Sequence, residues 1–177
     1  FFGYNESLAG EAGIPNFKQN LAKLVQHARQ QKYNGKSAPR IVLFTPIAHE
    51  DLGKHYLPDG TVNNARLALY ARATQEVAQA EAVLCVDLFE PTKSAYVREK
   101  ALLTMNGVHL NEKGNEVLAQ LIDAGLFEAA GPKSDAKILQ QLRKAVLDKN
   151  LHWWSRYRTV DGYNVYGGRS RLAWNGM

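Results

Sequence analysis

The sequence contains one cysteine and no long apolar run, and each absence narrows what the chain can be. Cys85 is the only cysteine among 177 residues, which excludes an internal disulfide. Because it lies in the apolar segment Val83–Val86, we predict a buried thiol rather than a nucleophile. No apolar run approaches the ~20 residues that a bilayer span requires, so no membrane-spanning segment is predicted. The apolar content of 45% and charged content of 22% predict an ordinary globular domain.

Positive charge is concentrated near the C-terminus. From Pro132 onward nine lysines and arginines face three aspartates, a net +6, and the rest of the chain carries −1. The segment Leu151–Met177 also interleaves tryptophans and tyrosines with arginines, a pattern that nucleic-acid-binding proteins use. No recognised nucleic-acid motif accompanies it. We therefore favour an extension that packs its aromatics on the domain or on a neighbour, and nucleic acid is not the predicted partner.

Short apolar segments alternate with amphipathic ones along the first two thirds of the chain. Strands are predicted at Arg40–Thr45, at Ala82–Leu88 and just before Gly3. Helices are predicted from Ile14 to a stop at Asn34-Gly35, over Asn63–Ala80, from Thr92 or Ser94 to Leu103, and over Asn111–Leu126. This alternation predicts an α/β fold, a doubly wound, mostly parallel sheet with helices on both faces.

Gly131-Pro132-Lys133 interrupts the pattern and predicts a domain boundary. We assign residues 1–130 to the α/β domain. Residues 131–177 form an extension that begins with a helix over Ser134–Lys149 and continues into the basic, aromatic-rich segment.

Two segments carry residue types suited to catalysis. His109 stands on a short loop before a helix for which Asn111 is a good N-cap, an arrangement that can hold a general base in a cleft. Near the start of the chain, Gly3 permits a tight turn after two aromatics, and Asn5 follows as a neutral amide donor. At the carboxyl edge of a parallel sheet such a donor suits a developing oxyanion. Taken singly, each segment is also compatible with a capping loop or a surface turn.

Together and in this order, the two segments resemble the SGNH hydrolases, also called the GDSL esterase superfamily. Gly3-Tyr4-Asn5-Glu6 resembles the family's Gly-x-Asn-Asp block, and Asn106-Gly107-Val108-His109 resembles its Asp-x-x-His block. The resemblance covers about Phe1 to Phe127.

The resemblance implies a flavodoxin-like three-layer fold and a serine ester hydrolase acting on a small-molecule or carbohydrate ester. It assigns His109 as base, Asn5 as oxyanion donor and Asn106 as the residue that orients the histidine. The neighbours Gly3, Tyr4 and Glu6 become candidates for substrate binding. Neither a metal nor an organic cofactor is implied. The resemblance is compatible with a secreted or periplasmic location and leaves the compartment open.

The chain departs from the family pattern at two points. The Gly-Asp-Ser nucleophile block precedes the asparagine block in this family, and no Gly-Asp-Ser occurs in these residues. We therefore expect the nucleophile before Phe1, in an N-terminally truncated domain that is inactive by itself. Asn106 stands where the family usually has Asp. Both departures also fit an alternative, a catalytically degenerate SGNH fold that binds carbohydrate or a protein partner.

The polar loop Ile47–Thr61 follows a predicted strand and should overhang the ligand crevice. His49 and Glu50 are therefore candidates for substrate contact, and a solvated loop without a role is the competing interpretation. A metal site built from His49, Glu50, Asp51 and His55 is not favoured, because their spacing matches no common ligand motif.

Overall fold

The computed structural model describes residues 2–127 and 135–157. The chain divides into two compact units, Phe1–Ala129 and Ala130–Met177. In the second unit one helix, Ala136–Tyr157, is described, and all its residues are exposed within that unit. It runs past the predicted end at Lys149. No helix among the described residues combines the length and hydropathy of a membrane span.

The first unit is built on two short parallel strands, β1 (Val42–Phe44) and β2 (Leu84–Val86). Val42 pairs with Leu84 and Phe44 with Val86. The strand predicted before Gly3 lies partly outside the described residues. Phe2 is in irregular structure, Phe1 lies outside the described residues, and the turn at Gly3 follows directly, which leaves no described length for a ladder.

Four helices of the first unit accompany the strands. They are α1 (Ile14–Gln30), α2 (Thr61–Ala80), α3 (Phe89–Arg98) and α4 (Glu112–Leu126). Two 3₁₀ turns, Glu6–Ala9 and Glu11–Gly13, fill the segment before α1. The helix of the second unit, Ala136–Tyr157, is α5.

The pleat of the strands sends their side chains to opposite helix layers. Leu43 belongs to a core that α1 and α2 close with Phe17, Leu21, Val25, Tyr70 and Val77, and Cys85 packs against the same core. On β2 the next side chain, Val86, meets α4 at Gly125, where a Cβ would overlap it. The predicted α/β class, with parallel strands and helices on both faces, is confirmed.

Each predicted helix is present in the part of the chain that the structure describes, but not every boundary is as predicted. α1 ends at Gln30 because its inward face runs out after Ala28, and the next positions on that face are Gln31 and Lys32. α3 begins at Phe89, several residues before Thr92. Pro91 is tolerated there because it falls in the first helical turn, where backbone N–H groups have no intrahelical acceptor.

Thr45 connects the end of β1 to the start of α3. Its hydroxyl donates to Asp87 Oδ1 at 2.8 Å and accepts from the backbone N–H groups of Leu88 at 2.7 Å and Phe89 at 3.1 Å. Asp87 Oδ1 also accepts from Phe89 N–H at 3.1 Å. One buried hydroxyl thus satisfies the groups that open a helix, which explains the early start of α3.

We predict that Thr45→Val destabilises the first unit by about 1–3 kcal/mol, because it leaves buried hydrogen-bonding groups without a partner. Urea unfolding, followed by circular dichroism, measures the loss. Thr61→Val is the matched control, since Thr61 is exposed at the start of α2. A loss no larger than that of the control would contradict this role for Thr45.

Candidate active site

A cleft of about 750 Å³ lies where the loop after β1, the N-terminal turn and the loop before α4 meet. Asn5 and His109 both line it, although they are far apart in sequence. Gly3, Tyr4 and Glu6 line it too, as do several apolar side chains. These are Phe2, Pro46, Ile47, Met105, Val108, Leu110 and Leu118.

The turn that carries Asn5 is closed by its own neighbours. Gly3 has φ +115°, which L side chains rarely adopt, and it packs against Pro46. Glu6 accepts the Gly3 N–H at 2.9 Å, and Ser7 N–H donates to Gly3 O at 3.0 Å. The side chain of Asn5 makes no capping bond to the 3₁₀ turn that follows it and is exposed at the cleft.

The loop that carries His109 is closed like a narrow hairpin. Thr104 and Leu110 form an isolated antiparallel bridge. Met105 N–H donates to His109 O at 2.8 Å, and Asn111 N–H donates to Leu103 O at 3.0 Å. Asn111 then caps α4 as predicted, because its side chain accepts the Gly114 N–H at 2.8 Å. We call residues 103–111 the histidine loop.

Asn106 determines the tautomer of His109. Its Oδ1 accepts the backbone N–H of His109 at 3.0 Å and that of Val108 at 3.3 Å, so the atom in this position is the amide oxygen. The same oxygen lies 3.0 Å from His109 Nδ1. Since an amide oxygen can only accept, Nδ1 must carry the proton. The Nε2 atom of a neutral His109 therefore holds the free lone pair that a general base needs.

His49 and Glu50 do not line this cleft, in contrast to the substrate contact expected from the sequence. Glu50 is 3% exposed, and its carboxylate accepts hydrogen bonds from the backbone N–H groups of Leu103 and Thr104 in the histidine loop. His49 is 4% exposed, and its Nδ1 lies 3.0 Å from the Tyr4 hydroxyl. The loop after β1 turns inward at these two residues, and their contacts lie behind the cleft.

Tyr96 is a partly buried donor that packs on the loop after β1. Its hydroxyl donates to Ala48 O at 3.0 Å. Burial raises the pKa of Tyr96, and the negative charge of Glu50 raises it further. Tyr96 therefore remains a neutral donor that holds the backbone beside His49 and Glu50.

The described residues contain no group of three or more His, Cys, Asp or Glu side chains placed to hold a metal ion. His49, Glu50, Asp51 and His55 do not form one. Cys85 is half-buried, and burial, followed by the nearby charge of Asp87, raises the pKa of its thiol. A raised pKa reduces the thiolate fraction, and Cys85 does not line the cleft.

Sequence reasoning selected Asn5 and His109, which both line the cleft, but did not reveal the buried contacts of His49 and Glu50. Glu50 and Leu103 are 53 positions apart in the chain. A buried carboxylate in a polar loop has the same sequence signature as a solvated one. The sequence signal that could have indicated these contacts was the run of titratable residues directly after a buried strand.

The chain is similar to known proteins at the level of family and fold. The model of the GDSL-like Lipase/Acylhydrolase family matches residues 1–117, more than half of the chain. The crystal structure of the lipase/acylhydrolase from Enterococcus faecalis aligns with a TM-score of 0.51 and 24% identity. The alignment covers 76% of this chain and 63% of that one, and at this identity it shows the fold alone. No curated protein matches the chain. The chain belongs to the GDSL-like lipase/acylhydrolase family.

Proposed function

We propose that the cleft is the asparagine–histidine part of a serine ester hydrolase site of the SGNH type. The observation that carries the proposal is that Asn5 and His109 line one cleft, with Asn106 hydrogen-bonded to Nδ1 of the His109 ring. A neutral donor and an oriented base in one cleft are the two components that acyl transfer from an ester needs besides a nucleophile.

In this proposal His109 Nε2 takes the proton of a serine hydroxyl as the serine oxygen attacks the ester carbonyl. Asn5 donates its side-chain N–H to the oxyanion that develops in the tetrahedral intermediate. His109 then protonates the leaving alcohol, and the acyl group stays on the serine. Water, deprotonated by His109, then attacks the acyl-serine. His109 returns that proton to the serine oxygen as the carbon–oxygen bond to serine breaks, which releases the acid and restores the free serine.

Asn106 makes this base differ from that of an Asp-containing family member. Its amide oxygen fixes the ring orientation and the tautomer, but it supplies no negative charge to stabilise the imidazolium. Glu50 cannot supply that charge by direct contact with the ring, because its oxygens are bonded to residues 103 and 104. Asp51 accepts the Gly53 N–H at 2.7 Å in its own turn. We therefore propose a base oriented by a neutral partner.

The nucleophile is proposed to come from residues before Phe1. No serine is among the described residues that line the cleft, and the hydroxyl of Ser7 donates to Tyr4 O at 2.6 Å. The apolar side chains of the cleft suit the hydrocarbon part of an acyl group, and its polar rim suits a small or carbohydrate alcohol. The substrate proposed is accordingly a small-molecule or carbohydrate ester.

For the full-length protein we predict that His109→Ala lowers kcat on 4-nitrophenyl acetate by about 10²–10⁴-fold, since the serine loses its general base. His27→Ala is the control, because His27 is exposed on α1 and away from the cleft. Wild-type turnover in the His109 variant would remove the enzyme proposal and leave a resemblance of fold alone.

Substitutions of Asn106 test the oriented-base argument. Asn106→Ala should lower kcat by up to about 10²-fold, because the imidazole loses its fixed orientation. Asn106→Asp should keep or raise kcat. The added charge stabilises the imidazolium, so deprotonation requires a higher pH and the acid limb of the pH–rate profile moves upward in pH. A silent Asn106→Ala, with an unchanged profile in Asn106→Asp, would assign the orientation of His109 to another group.

A second candidate function is a binding module that keeps the fold without the chemistry. The neutral residue at Asn106 and the lack of a Gly-Asp-Ser in these residues favour it. The sequence upstream of Phe1 discriminates between the two functions. A Gly-Asp-Ser there supports the hydrolase, and its absence supports a module that binds carbohydrate or a protein in the same cleft.

A further inference from the structure

The buried carboxylate of Glu50 binds Leu103 and Thr104, the first two residues of the histidine loop. Glu50 Oε2 accepts the Thr104 N–H at 2.7 Å and the Thr104 hydroxyl at 2.6 Å, and Glu50 Oε1 accepts the Leu103 N–H at 2.9 Å. Burying a carboxylate is unfavourable unless its oxygens are bonded, and hydrogen bonds to an ionised acceptor are the strong ones. The loop therefore depends on a charged acceptor from a distant part of the chain.

The segment His49-Glu50 also contacts the turn that carries Asn5. His49 Nδ1 lies 3.0 Å from the hydroxyl of Tyr4, the residue directly before Asn5. The other edge of the His49 ring lies against Gly107, where a Cβ would overlap Nε2, and Glu50 N–H donates to Gly107 O at 2.9 Å. One short segment thus contacts both loops that carry the proposed catalytic groups.

This segment is itself fixed to two helices. Asn64 on α2 brackets His49, because its Oδ1 accepts the His49 N–H at 2.7 Å and its Nδ2 donates to His49 O at 2.9 Å. Thr92 on α3 accepts the Ala48 N–H at 2.9 Å. A segment bonded to α2 and α3 in this way has a fixed position, so the loops that it contacts are fixed relative to the core.

We propose that Glu50, supported by the adjacent His49, is the positioning residue that sets the placement of His109 relative to Asn5. The proposal rests on the proposed hydrolase function. Glu50 acts by holding the histidine loop at Leu103 and Thr104, and His49 acts by spanning from Tyr4 to Gly107. A shift of about 1 Å in a catalytic group can lower turnover by ~10²-fold, so the effect of this pair is expected in kcat.

Two variants of the full-length protein test the proposal. Glu50→Gln keeps the volume of the side chain, but its NH₂ cannot accept, so it retains at most the bonds of one oxygen. Thr104→Val removes only the hydroxyl, which donates to Glu50 and accepts the Gly107 N–H at 3.0 Å. The controls are Thr74→Val, an equally buried threonine that bonds within α2, and Asp51→Asn, the exposed neighbour of Glu50.

Each variant is measured for kcat and KM on 4-nitrophenyl acetate and for amide hydrogen exchange. We expect Glu50→Gln and Thr104→Val to lower kcat at least tenfold with KM nearly unchanged. Exchange at Leu103, Thr104 and Gly107 should rise about tenfold or more relative to α1, because these amides lose their acceptors or the loop that orders them. Thr74→Val and Asp51→Asn should keep wild-type kcat and wild-type exchange in the histidine loop.

Unchanged kcat in both test variants would overturn the positioning role, whether or not exchange rises, because faster exchange alone is what a purely structural bond would show. If Glu50→Gln does not fold, Thr104→Val decides the outcome with Thr74→Val as its reference. Failure of the hydrolase proposal is recognised separately, because the wild-type protein then shows no turnover or the His109→Ala variant keeps the wild-type turnover. If exchange at residues 103–107 is then also unchanged in Glu50→Gln and Thr104→Val, the proposal that Glu50 holds the histidine loop is overturned as well.

Discussion

The parallel pairing of β1 with β2 is the constraint on which the rest of the first unit depends. Because the two strands run in the same direction, the loop after β1 and the start of α3 leave the sheet at one edge. The hydroxyl of Thr45 joins these two exits and holds both to the strands. The N-terminal turn packs its Gly3 against Pro46 at the same edge, so the cleft forms where the sheet ends.

The negative charge near this edge of the sheet is not in contact with the imidazole ring of His109. The group bonded to the His109 ring is the neutral amide of Asn106, and the buried carboxylate of Glu50 lies behind the loop, on its backbone. The carboxylate of Glu50 therefore holds the backbone of the histidine loop, and the amide of Asn106 orients the imidazole ring of His109. This separation accounts for how a loop that exposes its histidine can still hold it in one orientation.

Local sequence patterns predicted much of this architecture. The apolar strands, the amphipathic helices and the Asn111 cap follow from periodicity and capping chemistry, which act over a few residues. The segments that carry Asn5 and His109 could be predicted only as a pair, because together and in this order they resemble two blocks of the SGNH hydrolases. Boundaries that depend on distant partners could not, as with α3, whose start requires the hydroxyl of Thr45. The inward turn of His49 and Glu50 was missed for the same reason, because their contacts with Tyr4, Thr104 and Gly107 arise only in the folded chain.

The central claim is that Asn5 and His109 act on one reacting centre. It is tested most directly by the crystal structure of the full-length protein after reaction with an alkyl phosphonate ester, which mimics the tetrahedral intermediate. The account predicts a serine-bound phosphonate in the cleft, with one phosphoryl oxygen about 3 Å from Asn5 Nδ2 and His109 Nε2 in hydrogen-bond reach of the serine oxygen. A phosphonate bound elsewhere, or one in the cleft with the Asn5 amide turned away from it, would contradict the account.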